Sequence, residues 1–283
     1  MKVGVFQFRG SDNISDNHEA IIRAITSASQ NKVRLLVFQE CATCGYPPVE
    51  TPIIKEINFE ILNSYLQEIK QLAKKHDMYI VLGTIRIQNS KYYNSLQLIG
   101  PNGESIGNYD KRALWGWDLD NFTKGDSLGI YQIDDIQIGF RICFEVRFPE
   151  YFRELFKSNV QLCFVSFCDV SEQDLIERYG IIKSHLVTRA VENVMTIISV
   201  NSISKYQTAP TAVIDSDGHI VCEAPRNQEY LIIYDYDTPT IDFGRKGRIH
   251  YSNELLGMIQ KTKVKGDGIH EGKEQSFFVQ QEL

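Results

Sequence analysis

A chain of 283 residues with 43% hydrophobic and 23% charged side chains has an ordinary globular composition and enough apolar mass for a sizeable core. Its 30 basic and 36 acidic residues leave a net charge of −6 with no long run of one sign, which argues against nucleic acid and anionic membrane as partners. MKVGVFQFRG at the N-terminus lacks the long apolar stretch of a secretion signal, and no apolar run reaches membrane-spanning length. The expectation is a cytoplasmic protein whose 6 cysteines are free thiols.

Taken in order, short apolar runs alternate with helical periods. KVGVFQF (2–8) reads as a strand, and the stretch to Gln30 as a helix with Ile21, Ile22 and Ile25 on one side. LLVFQE (35–40) is a continuous apolar run, the pattern of a strand buried on both faces. Residues 57–76 place Ile61, Leu62, Tyr65, Ile69 and Leu72 on one helical stripe. Strands follow at 78–87, 93–100 and 104–110, the last two joined by a Pro-Asn-Gly turn. The rhythm then repeats. Strands are expected at 136–144, 160–167, 194–201 and 230–237, with helices at 150–157 and 174–193 and a hairpin at 211–224 around Asp217-Gly218. This order predicts a layered α/β fold with mixed sheets and no clear internal repeat. Residues 1–238 form the predicted domain. Residues 239–283 lose the apolar rhythm and read as an extended C-terminal extension, at a subunit interface or partly disordered.

Three strand ends each carry one reactive side chain, where α/β folds place their sites. Glu40 closes LLVFQE, Lys111 follows ESIGNYD, and Cys143 ends IQIGFRIC. Together they supply a thiol nucleophile, a carboxylate that can take its proton, and an ammonium that can stabilise an oxyanion. The backbone N–H of Phe144 offers a second oxyanion donor. Singly, each has a simpler explanation, a core cysteine or a solvated charge. Cys163 fits the core reading. Cys41 and Cys44 form a C-x-x-C without a second ligand pair, and read as incidental loop thiols and not as a zinc or redox site.

The flanking residues supply a further signal. LLVFQECATCGYPP, YDKRALWGWDLDNFTKG and GFRICFEVRFPEYFREL resemble, in order and spacing, the three motifs of the carbon–nitrogen hydrolase (nitrilase-like) superfamily. Arg189, Ala190, Glu192, Asn193 and Asn201 resemble its later Arg-Ala-x-Glu-Asn stretch and the Asn beyond the next strand. The resemblance covers roughly residues 2–237. It implies a four-layer αββα sandwich, a catalytic Glu40-Lys111-Cys143 triad, no metal or other cofactor, a small-molecule substrate, and homodimers that pair through helices. It also implies a substrate region that includes Tyr46, Trp115, Asp118, Phe144, Glu145 and Cys168.

Four departures bear on substrate more than on chemistry. Gln39 stands where the family usually has Pro, Glu145 where the amidase-like branches have Asp, and Ala113 where the second motif has His. Asp118 aligns with a second acid that is usually Glu. It either holds the triad lysine, polarises the substrate, or is a solvated loop acid. The Arg-Phe-Pro-Glu after the nucleophile favours hydrolysis of a small amide or N-carbamoyl compound. A nitrilase, or a catalytically weak binding member of the fold, is the alternative.

Overall fold

The computed structural model describes residues 1–51 and 53–259. The first half contains β1 (Lys2–Gln7), α1 (Ile14–Gln30), β2 (Leu35–Phe38), α2 (Phe59–Lys75), β3 (Tyr79–Gln88), β4 (Lys91–Ile99), β5 (Ser105–Asp110) and the short α3 (Asp118–Asn121). The second contains β6 (Ile130–Ile133), β7 (Ile136–Ile142), α4 (Pro149–Lys157), β8 (Leu162–Phe167), β9 (Val170–Ser171), α5 (Ile176–Asn193), β10 (Thr196–Asn201), β11 (Tyr206–Gln207), β12 (Ala212–Ile214), β13 (Ile220–Glu223), β14 (Tyr230–Asp235) and α6 (Phe243–Leu255).

Two six-stranded sheets result, in the orders β14-β1-β2-β3-β4-β5 and β13-β12-β10-β8-β7-β6. In the first, β1, β2 and β3 run parallel, and β14, β4 and β5 pair antiparallel outside them. In the second, β7, β8 and β10 run parallel, and β6, β12 and β13 pair antiparallel outside them. The same sequence of directions thus occurs in both, a repeat of form that no residue repeat announces. A third sheet is only the β9–β11 ladder, Val170 to Gln207 and Ser171 to Tyr206.

Alternation along the central strands explains the layers. In β2, Leu35 and Val37 join a core with Ile138, Phe140, Leu162 and Phe164 of the other sheet, while Leu36 and Phe38 pack with Ile21 and Ile25 of α1 and Ile69 of α2. In β8, Leu162 and Phe164 face the first sheet, while Cys163 and Val165 face Ile182 and Leu186 of α5. The sheets therefore pack face to face with helices outside both, the expected four-layer αββα sandwich. Each strand buried on both faces reads as an unbroken apolar run for this reason.

Two local expectations need correction. Ile61 lies on the outer side of α2 and is exposed, although Leu62 and Ile69 of the same stripe are buried. The stretch after residue 238 is not extended throughout, because α6 occupies 243–255. Asp242 caps it by accepting from Arg245 N at 2.8 Å, and Arg248 of the helix pairs with Asp217 at 2.7 Å. These polar anchors hold the helix down together with Ile249, which packs against the core beside α5. Residues 260–283 of the predicted extension lie outside the described residues.

Candidate active site

The three strand-end residues come from both sheets. Glu40 follows β2 in the first sheet, and Gly83 of β3 lets its turn approach. A Cβ on Gly83 would sit 1.9 Å from the carbonyl oxygen of Gln39. Gln39 ties the turn to the end of β1 through its side chain, which donates to Phe8 O at 2.8 Å and accepts from Phe8 N at 3.3 Å. A side-chain amide thus makes the pair of bonds that a further strand residue would make, which accounts for an amide where the family usually has Pro.

Lys111 follows β5 and is 3% exposed. Its Nζ donates to Glu40 Oε1 at 2.8 Å and to Asp118 Oδ2 at 2.8 Å. Asp118 starts α3 and is 1% exposed, so it is not a solvated loop acid, and its carboxylate lies against the Lys111 ammonium. The Tyr46 hydroxyl donates to Asp118 Oδ1 at 2.6 Å, and its ring lies 5.5 Å from Lys111 Nζ. Burial works against the Lys111 ammonium, but the charge of Glu40 and its neighbours outweighs this and keeps the lysine protonated.

Cys143 terminates β7 with φ of +46°, a left-handed conformation that L residues rarely adopt, and opens a 3₁₀ turn over Cys143–Arg147. Glu145 fixes that turn. Its Oε2 accepts from Ile142 N and from the Tyr109 hydroxyl, both at 2.7 Å, and its Oε1 accepts from Arg112 N at 2.6 Å and Ala113 N at 3.4 Å. Glu145 is 0% exposed and its carboxylate is fully engaged. It therefore braces the Cys143 turn against the Lys111 loop, and its carboxylate has no bonding position left for another group.

Burial raises the Cys143 thiol well above its ordinary value, and Glu40 adds to the rise while Lys111 opposes it. The resting group is a thiol that needs a base. Burial likewise raises Glu40, with Lys111 opposing and Asp118 adding. Glu40 Oε2 accepts from the backbone N–H of Cys168 at 2.8 Å, so the second sheet clamps a residue of the first.

The remaining expected residues divide. Phe144 stacks on Trp115 with ring centroids 5.7 Å apart and meets Phe148 edge-on at 5.2 Å. Trp115 is 67% exposed, so it is a surface flap over Phe144 and not an enclosed wall. A cavity of about 380 Å³ opens beside Phe144, lined by Ala113, Leu114, Leu119, Phe148 and Tyr151 with Arg112 and Lys124. Cys168 is buried and reaches the site through its backbone. Cys41 and Cys44 are fully buried and are not loose loop thiols. Among the described residues, no group of three or more His, Cys, Asp or Glu is arranged to hold a metal ion, and no helix is long and apolar enough to cross a membrane.

Two residues with no motif to mark them also belong here. Asn94 of β4 donates from Nδ2 to Glu40 Oε1 at 2.7 Å. Asp169, beside Cys168, is buried, raises the Cys143 thiol by its charge, and pairs with Arg178 at 2.8 Å. For Asn94 the visible sequence signal was a polar residue within a strand; Asp169, between β8 and β9, carried none.

Known proteins resemble this chain over most of its length. An (R)-stereoselective amidase of Pseudomonas sp. is 24% identical over 244 residues, covering 84% of this chain and 86% of the relative. A 2-oxoglutaramate amidase of Bacillus subtilis is 27% identical over 201 residues, covering 69% and 74%. Among solved structures, a variant amidase from Nesterenkonia sp. AN1, with the acetamide moiety of fluoroacetamide added at its active-site cysteine, superposes with a TM-score of 0.76 at 18% identity. That match covers 91% of this chain and 96% of that one. The sequence profile of the carbon–nitrogen hydrolases matches residues 2–246. A match of that extent settles the assignment: the chain belongs to the carbon–nitrogen hydrolase family.

Proposed function

We propose that the chain hydrolyses a small amide, with Cys143 as nucleophile, Glu40 as general base and acid, and Lys111 as the oxyanion-stabilising cation. The observation that carries this reading is the buried Lys111 ammonium held 2.8 Å from both Glu40 and Asp118, in the same charge field as a thiol on a strained turn. The curated relatives named above are amidases, which supports an amide as substrate.

The steps follow from the groups present. Glu40 takes the thiol proton as the Cys143 sulfur attacks the carbonyl carbon, removing the penalty that burial places on the thiolate. The carbonyl oxygen becomes an oxyanion beside the Lys111 ammonium, already fixed by Glu40 and Asp118, with the Phe144 N–H as second donor. Glu40 returns the proton to the leaving nitrogen, and the C–N bond breaks to give ammonia and a thioester. Water then loses a proton to Glu40, attacks the thioester, and the thiol is restored as the acid leaves. Asp118 and Tyr46 hold Lys111 in place. Activity in the cytoplasm, as a homodimer, belongs to the same reading, and light scattering on the purified protein tests the dimer.

The decisive experiment measures ammonia release from a panel of small amides, N-carbamoyl amines and nitriles, with Cys143→Ala alongside. Turnover of amides by the native protein and none by the variant supports the reading. Turnover confined to nitriles, or undiminished in the variant, overturns it.

A further inference from the structure

We infer that Asn94 is a positioning residue for the hydrolytic centre, and that Cys41 sets the sense of its side-chain amide. The inference rests on reading Glu40 as the base.

A carboxylate offers about four lone-pair positions. On Glu40, three are taken: Oε1 accepts from Lys111 Nζ at 2.8 Å and Asn94 Nδ2 at 2.7 Å, and Oε2 accepts from Cys168 N at 2.8 Å. The position left is on Oε2, and that lone pair is the one available to the thiol proton. Without Asn94, Oε1 keeps only the lysine, and the carboxylate plane gains a rotation that carries Oε2 off its line. Proton transfer is sensitive to such displacement, since a misplacement of roughly 1 Å costs about 100-fold in rate.

Asn94 also reaches the other arm of the centre. Its backbone oxygen accepts from Lys111 N at 2.8 Å, so one residue of β4 fixes both the carboxylate of Glu40 and the backbone from which Lys111 springs. The residue is 1% exposed, in a strand where an apolar side chain would bury at no polar cost. A buried amide bonded at both its nitrogen and its oxygen, at a position where an apolar residue would fit, points to a task.

An asparagine amide can present either end. Turned over, it would set Oδ1 against Glu40 Oε1, oxygen against oxygen. Cys41 opposes that sense, because its Sγ lies 3.7 Å from Asn94 Oδ1 and donates to it. Burial, with Cys44 and Glu40 adding, raises the Cys41 thiol well above its ordinary value, so it stays a donor. The first cysteine of the C-x-x-C thus holds Asn94, which holds Glu40.

The test compares Asn94→Ala, Asn94→Asp, Cys41→Ala and Cys41→Ser with the native enzyme and with Glu40→Gln, on whichever amide the panel identifies. Asn94→Ala should lower kcat by about 10- to 100-fold with KM changed by less than about threefold. The acid limb of the kcat profile should move to higher pH, because a hydrogen bond to the charged carboxylate has been removed. Asn94→Asp keeps the side-chain volume and decides the matter if the alanine variant does not fold. Its acid limb should move further in the same direction, since two carboxylates then face each other. Cys41→Ser retains a donor and should keep kcat within about threefold, whereas Cys41→Ala should show part of the Asn94→Ala loss and the same pH shift. Asn94 variants with native kcat and a native acid limb, whatever their melting temperature, overturn the inference. A native Cys41→Ala profile overturns the part that concerns Cys41. If Glu40→Gln retains native turnover, the base reading fails and this inference fails with it. An inactive Glu40→Gln beside unaffected Asn94 variants sinks this inference alone.

Discussion

Asp118 Oδ2 lies 2.8 Å from Lys111 Nζ, seven residues away along the chain, and both side chains are almost wholly buried. Asp118→Asn keeps the shape and removes one of the two charges that hold the ammonium. A hydrogen bond to a charged group is worth about 1.5–3 kcal/mol, so stability should fall by that order. Turnover should fall by at least about tenfold as Lys111 loses its fixed position. Because the Asp118 charge also raises Glu40, the acid limb of the variant's profile should move to lower pH, opposite to the Asn94 variants. Thermal melts and a pH series check both, and an acid limb moving upward would contradict the charge argument.

Iodoacetamide should inactivate the enzyme with one equivalent bound, at Cys143. Cys41, Cys44 and Cys163 are fully buried, and Cys168 nearly so, while Cys143 is partly accessible and feels the charges of Glu40 and Lys111. Cys222 is also partly accessible but has no such neighbour in the described structure, and should label more slowly. Peptide mapping by mass spectrometry reads the order. Labelling of Cys222 or Cys163 ahead of Cys143, with activity lost, would count against the assignment.

Gly83→Ala should disable the site without touching any side chain in it. The added methyl meets the Gln39 carbonyl at 1.9 Å and Cys41 N at 2.7 Å, so the turn bearing Glu40 must move. Overpacking of this kind costs about 1–3 kcal/mol. The expected variant is folded by circular dichroism, melts earlier, and loses most of its kcat. A variant with native kcat would show that the Glu40 turn tolerates displacement.

Activity should show an acid limb above the range of an exposed glutamate, about 4.3. The sign follows from the role: the base must be ionised, burial raises its pKa, and activity is lost as pH falls through that raised value. A kcat profile flat down to about pH 4 would contradict a buried Glu40 acting as base.

The strands were legible because nearly every one is apolar on both faces or alternates cleanly, and the motif residues stood where those runs ended. What escaped depended on distant partners. The helix at 243–255 has two glycines and a mixed face, and gains its place from Asp217, a residue of another hairpin. β6, β9 and β11 are too short to carry a period. Glu145, two residues after Cys143, was placed in the substrate region by the family resemblance. The 3₁₀ turn instead folds its carboxylate back onto Ile142 N and the Tyr109 hydroxyl. Asn94 reads in sequence as a polar break in a strand, because Glu40 is 54 residues distant along the chain.

The division of the site between two sheets has a consequence during synthesis. The ribosome delivers Glu40, Asn94 and Lys111 first, then Cys143, then the Cys168 amide that clamps Glu40. β14, which borders β1, is supplied only when residues 230–235 emerge. Until then the first sheet has an open edge along β1, from Lys2 to Gln7. The candidate centre is therefore drawn from two sheets whose strands are delivered one after the other, and the bond from Cys168 N to Glu40 joins them.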